Sequence, residues 1–81
     1  MFLHIKEAKY LTNYKIWVRF NDGAVGEIDL ESDLWGEMSE SLKNKNKFKK
    51  FKLDPDLETI VWENGFDLAP EYIYQKMKVI S

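Results

Sequence analysis

Eighty-one residues, 44% hydrophobic and 15% aromatic, read as one domain spanning residues 1–81 without a linker. A chain this short buries only about 60% of its unfolded surface. It has no cysteine to add a disulfide or a thiolate metal cluster. A net charge of −2 argues against a uniformly basic nucleic-acid binder, and no uncharged apolar run is long enough for a membrane helix.

The N-terminus, Met1-Phe2-Leu3-His4-Ile5-Lys6-Glu7, carries ionisable residues too often for a signal peptide. Together with the missing cysteine this predicts a cytoplasmic protein. Ile5, Ala8, Tyr10 and Leu11 predict a first strand, and Thr12-Asn13 a turn. From Tyr14 to Phe20 the pattern alternates, with Ile16, Val18 and Phe20 on one side and Lys15, Trp17 and Arg19 on the other. Asn21-Asp22-Gly23 is a hairpin signal, because glycine accepts the positive φ of a tight turn. The next strand, Ala24 to Leu30, is expected to turn Val25 inward, joined by Ile28 and Leu30. The phase slips near Gly26, which predicts a bulge there.

Glu31 to Lys47 is less regular. Ser32-Asp33 and Ser39-Glu40 can start short helical turns, and Leu34, Trp35, Met38 and Leu42 form an apolar stripe. Phe48 and Phe51 suit one helical turn; Phe51 to Asp54 then reads as extended. Asp54-Pro55-Asp56 is a turn, and Thr59 to Trp62 a β-branched, aromatic strand. Asn64-Gly65 is a second tight turn. Pro70 starts the last helix, where its missing N–H has no helical partner. Leu68, Tyr72, Ile73 and Met77 are its expected buried face. The fold class is therefore α+β: a small antiparallel sheet (β-β-β, an irregular helical connection, β-β) packed with a C-terminal helix.

Catalytic chemistry is thinly represented. His4 is the only histidine, with no marked nucleophile beside it, and four scattered glycines make no phosphate loop. Asp29, Glu31 and Asp33 would share a face on a continuing strand and could offer oxygen ligands to a divalent cation. The plainer reading is a charged edge that discourages strand pairing. Asp67, ahead of Pro70 and Glu71, is expected to cap the last helix rather than form an acid–base pair with Glu71. No catalytic residue, metal or cofactor is assigned.

Charge is blocky. Seven acids and no base lie from Asp22 to Glu40, and six acids and no base from Asp54 to Glu71. Between them stand Lys43, Lys45, Lys47, Lys49, Lys50 and Lys52, enclosing Phe48 and Phe51. Lysines interleaved with aromatics can hold a phosphate backbone. The preferred reading is core phenylalanines under solvated lysines. Trp17 beside Arg19 has the composition of a protein-binding surface. The alternative is burial of Trp17 beneath the last helix, since either face of a single sheet can be the inner one.

Phe20-Asn21-Asp22-Gly23, then Leu34, Leu42 and Phe48, then Trp62-Glu63-Asn64-Gly65-Phe66-Asp67-Leu68-Ala69-Pro70-Glu71-Tyr72-Ile73-Tyr74, resemble the bacterial domain-of-unknown-function family 2442. The resemblance runs over essentially the whole chain. Asn21, Asp22, Gly23, Trp62, Asn64, Gly65, Asp67, Pro70 and Glu71 carry it, and nearly all of this motif is explained by folding. Ile73 stands where leucine is frequent in the family, and the connection is richer in lysine than its pattern. The resemblance implies a small α+β fold. It also implies an antitoxin role, because family members are often encoded beside small proteins resembling RNA-cleaving toxins. The expected function is a small protein-binding module, with a nearby-encoded toxin as partner; the acidic blocks suit a basic one. The alternative is nucleic-acid binding through Lys43–Lys52. A homodimer would be a further way to gain buried area.

Overall fold

The computed structural model describes residues 3–34 and 40–79. Strands β1 (Ile5–Thr12), β2 (Lys15–Phe20) and β3 (Val25–Asp29) form an antiparallel meander. Asn13, at φ 51°, makes the first turn; asparagine tolerates this left-handed conformation better than most residues. Gly23, at φ 90°, makes the second. There the Asp22 carboxylate accepts the Ala24 N–H at 2.9 Å, so all three residues of Asn21-Asp22-Gly23 serve the hairpin.

That hairpin overrules the expected phase of β3. Phe20 N–H donates to the Ala24 carbonyl, and pairing then runs unbroken from Arg19↔Val25 to Lys15↔Asp29. There is no bulge at Gly26. Gly26, Ile28 and Leu30 are buried, and Val25 falls on the Arg19 side. A tight turn sets register for the whole strand, and one apolar side chain cannot shift it. The irregularities lie in β1 instead, between Ile5 and Glu7 and between Tyr10 and Thr12.

Single turns of 3₁₀ helix follow at Glu31–Asp33 and Glu40–Lys43, with Leu34 and Leu42 buried. Trp35 and Met38 lie outside the described residues. Helix α1 (Lys45–Phe48) is capped by Asn44, whose side chain accepts the Asn46 N–H at 2.9 Å. Strands β4 (Lys52–Asp54) and β5 (Thr59–Val61) form a second hairpin. At its tip Asp54 accepts the N–H groups of Asp56 and Leu57, and Glu58 takes φ 57°. Ile5 N–H donates to the Glu58 carbonyl at 3.0 Å, docking this tip on β1.

Helix α2 (Pro70–Lys76) begins at its proline, as expected. A short strand β6 (Lys78–Val79), unforeseen from the sequence, pairs with Gly26 and Glu27. The main sheet thus has the order β1-β2-β3-β6. Its inner face presents Ile16, Val18, Phe20, Ile28 and Leu30. Ile5, Leu34, Leu42, Phe48, Ile60, Trp62, Ile73 and Met77 complete the core. No described helix is long and apolar enough to cross a membrane.

Two roles expected near α2 differ. Tyr72 is 40% exposed, and Leu68 lies before the helix, so Ile73 and Met77 are the buried pair. Asp67 does not cap: the N-cap position is Ala69, with no side-chain cap bond. Asp67 instead bridges Val61 in extended pairing, because the Asn64-Gly65 turn, with Gly65 at φ 89°, returns the chain beside β5. The helix then starts too far along for the carboxylate to reach its first N–H groups.

Two substitutions check this account by urea unfolding. Asp67→Ala is expected to cost under about 0.5 kcal/mol, where a cap would cost about 1. Trp62→Phe keeps a ring but strips the buried Phe48 carbonyl of its indole donor at 2.8 Å. It is expected to cost about 1–3 kcal/mol plus lost packing.

Candidate functional site

Among the described residues, the second layer covers only one side of the sheet. Ile73 enters the core, and the Tyr74 ring meets the Phe20 ring edge-on at 5.0 Å, so α2 packs on the Phe20 side. Trp17 alternates to the other side and is not beneath the helix. Register places it at the middle of that outer face, opposite Lys9 on β1 and Glu27 on β3. Arg19 stands between Glu7 and Val25, and Lys15 opposite Asp29.

These side chains form a linked set. Arg19 donates to the Glu7 carboxylate from Nε and Nη2 at 3.3 and 3.2 Å, and Lys9 Nζ approaches it at 3.4 Å. The Arg19 guanidinium, aided by Lys9, holds the Glu7 carboxyl below its ordinary range. Lys9 Nζ also lies 5.4 Å from the centre of the Trp17 ring, within cation–π range. Trp17 is half-buried, with Lys9 over its ring. The face thus presents an indole and an arginine side by side on β2.

The six lysines of Lys43–Lys52 are all exposed, while Phe48 is fully buried and Phe51 half-buried. Tyr14 holds this segment from the sheet: its hydroxyl donates to the Lys43 carbonyl, and its ring meets Phe48 edge-on at 5.3 Å. Lys45 Nζ sits 5.8 Å from the Tyr14 ring centre.

Asp29, Glu31 and Asp33 do not line up along one strand: Asp29 and Glu31 edge a common groove, whereas Asp33 is engaged by Tyr72 and Lys76. The strand ends at Asp29, whose carboxylate accepts the Glu31 N–H, and a 3₁₀ turn follows. No three His, Cys, Asp or Glu side chains among the described residues gather as a metal site. His4 Nδ1 lies 3.0 Å from the Glu58 carboxylate at the docked hairpin tip.

One cluster was not anticipated from the sequence. Asp33 accepts from both the Tyr72 hydroxyl and Lys76 Nζ, and Lys76 also donates to Ser32 at 3.2 Å. Nearby, Tyr74 donates to the Asp22 carboxylate at 2.8 Å. Tyr72 and Lys76, four apart on α2, are visible as a helical pair; their meeting with Ser32 and Asp33 is tertiary. The bond to Asp33 raises both the Tyr72 and the Lys76 pKa, and the bond to Asp22 raises that of Tyr74. Asp22 itself is lowered, by the Ala24 N–H and then by the Tyr74 hydroxyl. The cluster fastens α2 to the sheet's turns. A groove of about 600 Å³ is lined by Tyr14, Asp29, Glu31, Ser32, Leu34 and Lys43.

These raised groups predict alkaline lability. A raised folded pKa stabilises fully below the unfolded value and is lost as pH rises through the folded one. Stability should therefore fall as pH rises past the ordinary tyrosine and lysine values of 10.0 and 10.5. Asp33→Asn removes the Tyr72 and Lys76 contributions and leaves that of Tyr74. Urea midpoints from pH 8 to 11.5 should thus decline less in this variant than in the wild type.

A family model described as "Protein of unknown function (DUF2442)" matches residues 5–78. No curated protein and no solved structure matches the chain. The matched span takes in all of the described strands and helices apart from the last residue of β6, and the chain belongs to the DUF2442 family.

Proposed function

We propose that the protein is a non-catalytic binding module whose outer sheet face docks another protein. The observation that carries this reading is the outer face itself, with Trp17 at its centre and Arg19 and Lys9 around it. Tryptophan and arginine are the residues that most often dominate binding energy, and here both stand on a rigid strand. No described element covers this side of the four-stranded sheet, which supports its use by a partner.

The partner class we favour is a small toxin, the protein then acting as the antitoxin of a toxin–antitoxin pair. This rests on the likeness to family members encoded beside small proteins resembling RNA-cleaving toxins. Glu27 and Asp29 on the same face, with exposed Glu31 next to them, give a basic partner a complementary edge.

Co-expression with the product of the neighbouring gene tests the proposal. The two are expected to co-purify, and the protein to restore growth arrested by that product. Trp17→Ala should weaken the complex by about 2 kcal/mol, roughly thirty-fold in Kd, while changing unfolding stability by less than about 1 kcal/mol. Absence of co-purification and of growth rescue would refute the antitoxin reading. A complex indifferent to Trp17→Ala would refute the assignment of the face.

A further inference from the structure

We infer that Lys43–Lys52 forms a second surface, separate from the Trp17 face, that lies along the phosphate backbone of a double-stranded nucleic acid. Its composition is the first observation. The exposed residues of this stretch are six lysines and two asparagines, Asn44 and Asn46, and nothing else. Protein interfaces need apolar anchors and are depleted in lysine. Phosphate oxygens, in contrast, accept from lysine and asparagine side chains alike.

The second observation concerns partners. Lys9, Arg19 and Lys76 each stand in an ion pair, whereas Lys45, Lys47, Lys49, Lys50 and Lys52 stand in none among the described residues. Five cations thus stand outside any ion pair among the described residues. The backbone beneath them is firmly held. Asn44 caps α1, the Phe48 ring is enclosed, and the Phe48 carbonyl accepts the Trp62 indole N–H at 2.8 Å. Ordering this segment on a ligand therefore costs mainly side-chain entropy.

The third observation selects the form of nucleic acid. Single strands are held by stacking bases on exposed rings. Here the Phe48 ring faces the core, and Phe51 packs against Trp62 at 6.2 Å. No exposed ring interrupts the lysines, so the surface suits a duplex backbone and reads no bases. Lys47 and Lys50 also line a groove of about 350 Å³ with Ser41, Leu42, Glu63 and Asn64, and Asn64 Nδ2 donates to Ser41 Oγ at 3.3 Å. Glu63 is the acid in that groove and opposes phosphate.

Fluorescence anisotropy of the full chain with a labelled duplex of about 20 base pairs tests the inference, since each phosphate contact adds about −0.9 to the log–log salt slope. Five contacts give a slope of about −4.5, or roughly 500-fold weaker binding at 200 mM than at 50 mM salt. Replacing Lys45, Lys47, Lys49, Lys50 and Lys52 by glutamine should bring the slope close to zero, and Glu63→Gln should tighten binding. If the five-residue variant does not fold, Lys47→Gln with Lys50→Gln should reduce the slope by about 1.8. Absence of duplex binding at 50 mM salt, or an unchanged slope in the lysine variants, overturns the inference. So does tighter binding of a single strand of the same length. Equal binding of polyglutamate of matched charge would overturn it in favour of an acidic protein partner.

Discussion

The structure depends on the bond between the Trp62 indole N–H and the Phe48 carbonyl. Both groups are buried, so each would carry a desolvation cost without the other. The bond joins the end of β5 to the end of α1 and so fixes the second layer as one body. Phe48, Phe51 and Phe66 then pack around the indole with centroids 5.5–6.2 Å away. Once Trp62 is placed, the Asn64-Gly65 turn sends Phe66 back onto it, and Trp62 N–H donates to the Phe66 carbonyl. That return brings Asp67 beside Val61 and determines where α2 starts. Ile73 and Tyr74 reach the sheet only because of this sequence of placements.

Acids act as fasteners around this core. Asp22 holds Tyr74, Asp33 holds Tyr72 and Lys76, and Glu58 holds His4. Each joins segments distant in the chain, and at Asp33 the Lys76 ammonium balances a charge that the linear pattern shows as part of a block. The acidic blocks are therefore less uniform as surfaces than as sequence. Conversely, the lysine block keeps its charge facing solvent, because its only apolar members, Phe48 and Phe51, are drawn beneath it. Electrostatic character thus follows from which charges folding consumes and which it leaves.

Much of the local structure was legible in residue types. The alternation of Ile16, Val18 and Phe20, the glycines at Gly23 and Gly65 with positive φ, and Pro70 at a helix start all express short-range sterics. The misreadings share one cause. Val25 looked inward by hydrophobicity, Asp67 looked like a cap by proximity, and Tyr72 looked buried by helical spacing. In each case a hydrogen-bonded register or a distant partner decided otherwise: the Phe20–Ala24 pair, the Val61–Asp67 bridge, and Asp33. Strand β6 was invisible because two residues carry no period; it exists only because α2 delivers them to the free edge of β3.

By itself, the sequence determined the fold class, the hairpins, the apolar stripe of β2 and the identity of Trp17 and the lysines as surface candidates. Backbone preference and side-chain period act over a few residues and need no knowledge of the rest. Only the tertiary structure decided that Trp17 lies on the sheet face opposite helix α2, that the lysines surround a buried phenylalanine on a braced turn, and that Asp33 is a clamp. Those facts depend on which side of the sheet the second layer chooses. That choice is set by long-range packing of Phe48, Trp62 and Ile73 against Ile16, Val18 and Phe20, which no local pattern encodes.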